Sequence, residues 1–166
     1  MADLTLKGDK TLDITKVIEA GDDTVKVYHK IVDSQPADGD TVTFDEDDIV
    51  AYLTDLGDFG ASKETKEYKF YHAKTFKVTT GQTDKDLQLT EALTLDAYKN
   101  IKNAFKANAY IVTAMFTKDG ELIYVGIGQI SEWTTSLKNR DQCTVQYTLS
   151  NTELENVTCT LPTATA

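Results

Sequence analysis

From Leu95 to Phe105 the apolar positions Leu95, Tyr98, Ile101 and Phe105 recur at the three-to-four spacing of one helix face. Thr94 stands where an N-cap belongs, so the pattern predicts a helix over about 94–106. Asn108 ends it, and Ala109–Thr117 is a β-branched and aromatic run suited to a buried strand. Elsewhere the period is mostly that of strands. "DTVKVYHKIVD" places Val25, Val27 and His29 to one side, and His29 reads as a strand-face residue before it reads as a ligand. In "KEYKFYHAKTFKVT", Tyr68, Phe70, His72, Phe76 and Val78 share a face, which predicts one long amphipathic strand over 66–79. A turn-rich connection, "TTGQTDKDLQLTEAL", then leads into a short extended piece.

Beyond the helix, "KDG" is a hairpin turn between Ala109–Thr117 and Glu121–Ile130, and "EWTTSLK" continues that second strand or starts another. Gly126 and Gly128 interrupt it, marking a bulge or a close backbone approach. "QCTVQYTLS" has the cleanest alternation in the chain, "NTELENVTCTL" offers a last strand, and 162–166 read as a flexible small-residue tail. A second, shorter helix is predicted over about 45–56. Asp45 can cap it, Glu46, Asp47 and Asp48 complement the dipole, and Phe44 and Ile49 match a hydrophobic staple. Ile49, Tyr52, Leu53 and Leu56 then form its apolar stripe, and Gly57 its stop.

Composition supports one β-rich domain spanning 1–166: no linker or internal repeat interrupts it, and 25 threonines favour half-exposed strands. Cys143 and Cys159 lack metal-ligand spacing and read as small apolar residues on strand faces. "MADLTLKGDK" has no apolar stretch that could act as a secretion signal, and no run suits a membrane span. A soluble, cytoplasmically made protein is the expectation.

The net charge of −10 argues against a nucleic-acid groove, so the interleaved lysines and aromatics of 66–79 read as a strand with a basic solvent side. Residues 31–62 hold nine Asp or Glu and no Lys or Arg. Neither acidic stretch there fits a calcium loop, and the second already has a capping explanation. No nucleophile elbow, phosphate loop or zinc helix is present, and His29 and His72 lie in no suggestive context. The expectation is no enzyme, no cofactor and no metal.

The order of elements from "YHAKTFKVTTGQTDKDLQLTEALTLDAYKNIKNAF" through "TVQYTLSNTE", roughly residues 68–153, resembles the major tail tube (tail shaft) proteins of long-tailed bacteriophages. The resemblance implies a mainly β (α+β) single-domain sandwich or barrel flanked by one helix. It implies hexameric rings whose sheets join into a lumen and stack into a tube around a tape-measure protein. Tail tip or terminator proteins would be further partners, and double-stranded DNA would pass through the lumen without specific binding. The location implied is the virion tail, assembled in the host bacterial cytoplasm. An acidic lumen suits that passage, because it repels phosphates. Long strand edges would be completed by neighbours.

Within that picture the acidic loop 33–44, with Asp33, Asp38 and Asp40, is the expected inter-ring arm. The outer lysines of the main helix, Lys99, Lys102 and Lys106, are expected at a ring contact. Three other readings remain open on the sequence. One is a monomeric β-sandwich binding ligands or carbohydrate through an aromatic patch near Trp133 or Tyr71. Another is a related terminator, baseplate or type VI secretion tube protein. The third is an acidic hydrolase.

Overall fold

The computed structural model describes residues 25–162 apart from 70, 71, 73, 75 and 118. The strand candidates before Val25 and the tail beyond Pro162 lie outside the described residues, as does Tyr71. In chain order the elements are β1 (Val25–Val32), β2 (Thr41–Thr43), a single 3-10 turn (Glu46–Asp48), β3 (Leu53–Leu56), β4 (Ala61–Tyr68) and β5 (Phe76–Asp84). β6 (Leu87–Ala92), α1 (Leu95–Lys106), β7 (Tyr110–Thr117), β8 (Leu122–Ser136), β9 (Thr144–Glu153) and β10 (Thr158–Thr160) follow.

Six strands form one antiparallel sheet in the order β1-β7-β8-β9-β6-β3, curled into a half-barrel. Both its faces are covered, which is why β7 reads as a continuous apolar run instead of an alternating one. Ile111 and Met115 of β7 join Leu87, Leu89, Tyr147 and Leu149 beneath α1. Val112, Ala114 and Phe116 point the other way, into a second core with Phe44, Val42 and Val157. That second core is closed by the small parallel pair β2 and β10. The expected mainly β fold flanked by one helix is what the structure shows.

The main helix begins and ends where the sequence places it. The Thr94 hydroxyl accepts the Ala97 N–H at 3.1 Å. At the other end Asn108 takes the left-handed conformation (φ 50°), Asn108 N–H bonds Phe105 O, and Ala109 N–H bonds Ala104 O. These two bonds satisfy carbonyls the last turn would otherwise orphan. Thr94→Ala should therefore cost about 1 kcal/mol in chemical denaturation, while Thr94→Ser should cost little.

The inward face of α1 differs from expectation. Leu95 is 67% exposed and Phe105 38%, whereas Ile101 and Ala104 are buried and Ala97 packs beside them. Small alanines let the helix sit close to β8 and β9, and Tyr98 packs edge-on against Trp133 at 5.6 Å.

The helix over 45–56 does not form. Its capping signals act for one turn only: Asp48 carboxylate accepts Asp45 N–H at 2.8 Å, and Asp48 N–H bonds Asp45 O at 3.0 Å. Ile49 then turns extended and bridges Tyr28, and Val50 N–H bonds Val27 O at 2.8 Å. Pairing with β1 diverts the chain, and Leu53–Leu56 become β3 on the β6 edge.

The single strand expected over 66–79 is likewise two strands of a hairpin, with Tyr68 paired to Phe76. The turn-rich stretch after it is partly β5, where Lys63 alone faces Gly81 and Gln82 across a bulge. Gly81 has φ 69°, the left-handed geometry such a bulge requires. "EWTTSLK" continues β8, which runs unbroken for 15 residues past a register shift between Ile130 and Glu132.

Candidate functional site

Two features of the surface need an explanation that the core does not supply. The first is the β4–β5 hairpin. Every residue of β4 is exposed, and among the described residues the pair forms its own two-stranded sheet, with no backbone ladder to another strand. "ASKETKE" has no apolar period, so neither face of β4 over that stretch was built to meet this chain's own core. A two-stranded hairpin alone is marginal in water.

Its base is nonetheless fixed. Lys85 N–H bonds Gly60 O at 2.8 Å, and the Asp84 carboxylate accepts Glu153 N–H at 3.0 Å. In a chain of net charge −10, residues 61–84 carry five lysines against three acids. Lys63, Lys66, Lys69, Lys74 and Lys77 are all exposed.

The second feature is a cleft of about 780 Å³ between α1, β1 and the 3-10 turn. Ile101, Ile111 and Ile130 wall it, Asp47, Asp48 and Ile49 line the side formed by the 3-10 turn, and His29, Tyr147 and Glu91 reach it from three different strands. His29 Nδ1 lies 2.9 Å from Thr113 Oγ1, and His29 Nε2 lies 2.9 Å from the Tyr147 hydroxyl. Tyr147 is also hydrogen-bonded to Glu91.

One arrangement gives every donor an acceptor. Thr113 O–H donates to Nδ1, Nε2–H donates to Tyr147, and Tyr147 O–H donates to Glu91. It requires a neutral imidazole, and burial holds His29 at a pKa of about 4. His29 keeps some surface area, but protein surrounds it closely enough to remove most of its solvation. Burial, followed by the Glu91 charge, pushes Tyr147 well above its ordinary value, and burial raises Glu91.

The aspartates and lysines expected at a contact are not gathered into one place. Asp33 and Asp38 are exposed in the connection after β1. The Asp40 carboxylate accepts Ala37 N–H at 2.8 Å, and Asp40 O accepts Thr158 N–H at 3.0 Å. The last part of that loop, 41–44, is strand β2 followed by the fully buried Phe44. Lys99 and Lys106 are exposed on α1, and the Lys102 ammonium sits 5.6 Å over the Tyr98 ring. No hydrogen bond or ion pair joins the two groups among the described residues.

Cys143 and Cys159 are free, both half-buried, and burial lifts the Cys159 thiol to about 11. Among the described residues no group of three or more His, Cys, Asp and Glu converges as a metal set, and no helix is long and apolar enough to cross a membrane. Sequence reasoning missed the hairpin, whose signal was a strand without an apolar face. It also missed the Thr113–His29–Tyr147–Glu91 chain, which four separate strands bring together.

No protein-family model matches the sequence, and no curated protein matches it. Solved structures do. The chain is similar to one in the sheath-tube complex of an extracellular contractile injection system (PVC) in its extended state. The TM-score is 0.52 at 14% identity, covering 82% of this chain and 89% of that one. It is similar to a chain of the sheath/tube terminator of the same system, with TM-score 0.51, 14% identity and coverage of 76% and 87%. A chain of the anti-feeding prophage tube-terminating cap gives TM-score 0.51, 15% identity and coverage of 84% and 91%. At these identities the likeness is one of fold: a curled, mainly β sheet with one helix, shared with components of phage-like contractile assemblies.

Proposed function

We propose that this chain is a structural subunit of a phage-like tail, which self-associates into rings and stacks them into a tube. The observation that carries the reading is the hairpin Ala61–Asp84, basic, exposed along all of β4 and fixed at its base. A protein gains by keeping such an element only if another surface covers it. The fold likeness to chains of tube and terminator complexes supports the same reading. So does the acidic charge, which suits a lumen passing DNA without holding it. In this reading the hairpin is the arm between copies. The loop 33–44 and the outer lysines of α1 are secondary contacts, and a tape-measure protein and tail tip proteins are the other partners. A role without catalysis follows from the same assembly.

A terminator is the second reading. The terminator and sheath-tube complexes match equally well, at TM-scores of 0.51 and 0.52. A terminator gives single closed rings, and a tube subunit gives stacks.

Negative-stain electron microscopy and sedimentation over a concentration series test both. The full chain should form rings or tubes with a central hole. Because Gly60 O and Lys85 N are already bonded at 2.8 Å, residues 61–84 can be replaced by a two-residue turn without parting the ends. That variant should keep a cooperative melt and remain monomeric. A full-length protein that stays monomeric throughout would overturn the proposal, and so would a deletion variant that assembles normally.

A further inference from the structure

We propose that the cleft between α1, β1 and the 3-10 turn is the receptor for the β4–β5 hairpin of a second copy, with hairpin lysines meeting Asp47, Asp48 and Glu91. This deepens the self-assembly reading and rests on it. Charge complementarity selects the occupant. On the cleft side the acids are Asp47 and Asp48 on the 3-10 turn and Glu91 on β6. Among the described residues the lysine or arginine lining the cleft is Lys30, and its ammonium is already given to Thr43 O at 2.5 Å.

Glu91 is the telling member. It is a half-buried carboxylate whose described partner is a neutral tyrosine, and burial without a cation is costly for it. A lysine entering the cleft can lay its aliphatic stem along Ile101, Ile111 and Ile130 and bring its ammonium to that carboxylate. On the hairpin side, Lys63, Lys66, Lys69, Lys74 and Lys77 outnumber Glu64, Glu67 and Asp84. Two further observations fit. The extended residues 29–32 of β1, an edge strand of the sheet, run beside the cleft, and Ile31 projects there 63% exposed. Covering Ile31 and the hairpin together removes two exposed liabilities at once.

Cross-linking with a zero-length carbodiimide, which joins lysine to carboxylate, reads the contact directly. Full-length ¹⁵N-labelled and unlabelled chains are mixed under assembling conditions. Mass spectrometry should find mixed-isotope peptides that link a hairpin lysine to Asp47, Asp48 or Glu91. A complementary pair of variants adds a functional arm. Asp47→Lys with Asp48→Lys reverses the cleft, and Lys66→Glu, Lys69→Glu and Lys77→Glu reverse the hairpin. Each alone should raise the concentration needed for assembly roughly tenfold or more, and mixing the two should restore it.

Hairpin links to other carboxylates of a neighbour, in a protein that does assemble, would sink the cleft as receptor and leave the arm reading standing. Links confined to single chains would do the same. Absence of assembly by the wild type would overturn both.

Discussion

Gly128→Ala should lower the unfolding free energy by about 3 kcal/mol or more, the upper end of what overpacking costs. A Cβ built on Gly128 would lie 2.3 Å from Ser150 O, 2.9 Å from Ser150 C and 3.1 Å from Asn151 Cα. All three are backbone atoms of β9, so no rotamer change relieves the clash. Either β8 or β9 must move, and the two are paired from Gly126–Glu153 to Ser136–Thr144, at the centre of the sheet.

Gly126 is the internal control. Its Cβ would meet the Tyr124 hydroxyl at 2.5 Å and the Asn151 amide at 2.8 Å, both side-chain ends. Those ends can give way, at the cost of the hydrogen bond from Asn151 Nδ2 to the Tyr124 hydroxyl. Urea denaturation of dilute protein should therefore rank Gly128→Ala well below Gly126→Ala in stability. Equal losses would show that the close approach at Gly128 relaxes freely. Because relieving the clash must displace β8 or β9 at the centre of the sheet, Gly128→Ala should also impair assembly at temperatures where it remains folded.

The glycine pair was legible in the sequence because a glycine inside a strand has few other uses. The α1 boundaries were legible for a similar reason: Thr94 and Asn108 are local devices whose effect depends on their immediate neighbours. The helix face was less so. Leu95 and Phe105 satisfy the period, yet the sheet beneath extends under Ala97, Ile101 and Ala104 instead, and only tertiary structure sets that.

The acidic segment misled because its caps are real while its continuation is decided by distant strands, β1 at Tyr28 and β6 at Leu89–Glu91. The hairpin was missed because "KFYHAKT" contains no glycine, proline or asparagine to announce a turn. The polar chain of Thr113, His29, Tyr147 and Glu91 could not be read at all. Its members are separated by up to 118 positions, and each looks ordinary on its own strand.

His29 carries the second large effect, and it is one of pH. Its pKa falls from 6.5 to about 4 on folding because burial disfavours the imidazolium. A group whose folded pKa is depressed binds fewer protons native than unfolded. Its stability contribution is therefore complete above pH 6.5 and is lost as pH falls from there towards 4. At about 1.4 kcal/mol per pKa unit, the loss approaches 3 kcal/mol. Glu91 acts in the opposite sense. Its raised pKa leaves the native state protonated where the unfolded one is not, so its contribution is present at low pH and is lost as pH rises through the carboxylate range. The groups around the imidazole that could offset its charge are Glu91, Asp47 and Asp48, with Lys30 opposing them. Glu91, being itself uncharged over part of that range, is a weak rescuer.

His29→Gln isolates the effect. Glutamine can accept from Thr113 and donate to Tyr147 with no titration of its own. Stability measured by urea denaturation of dilute protein at pH steps from 7 to 4 should fall more steeply for wild type, by about 3 kcal/mol across the range. The difference between the two proteins should then shift by that amount in the variant's favour by pH 4, whatever deficit glutamine carries at pH 7. Parallel pH profiles would mean that His29 gains its proton in the native fold at its ordinary pKa. Below pH 6.5 the Thr113–His29–Tyr147–Glu91 chain would then run through an imidazolium, with both ring nitrogens donating. Only in that acidic range would the ring supply a positive charge on the Glu91 side of the cleft and weaken the case for a lysine from outside.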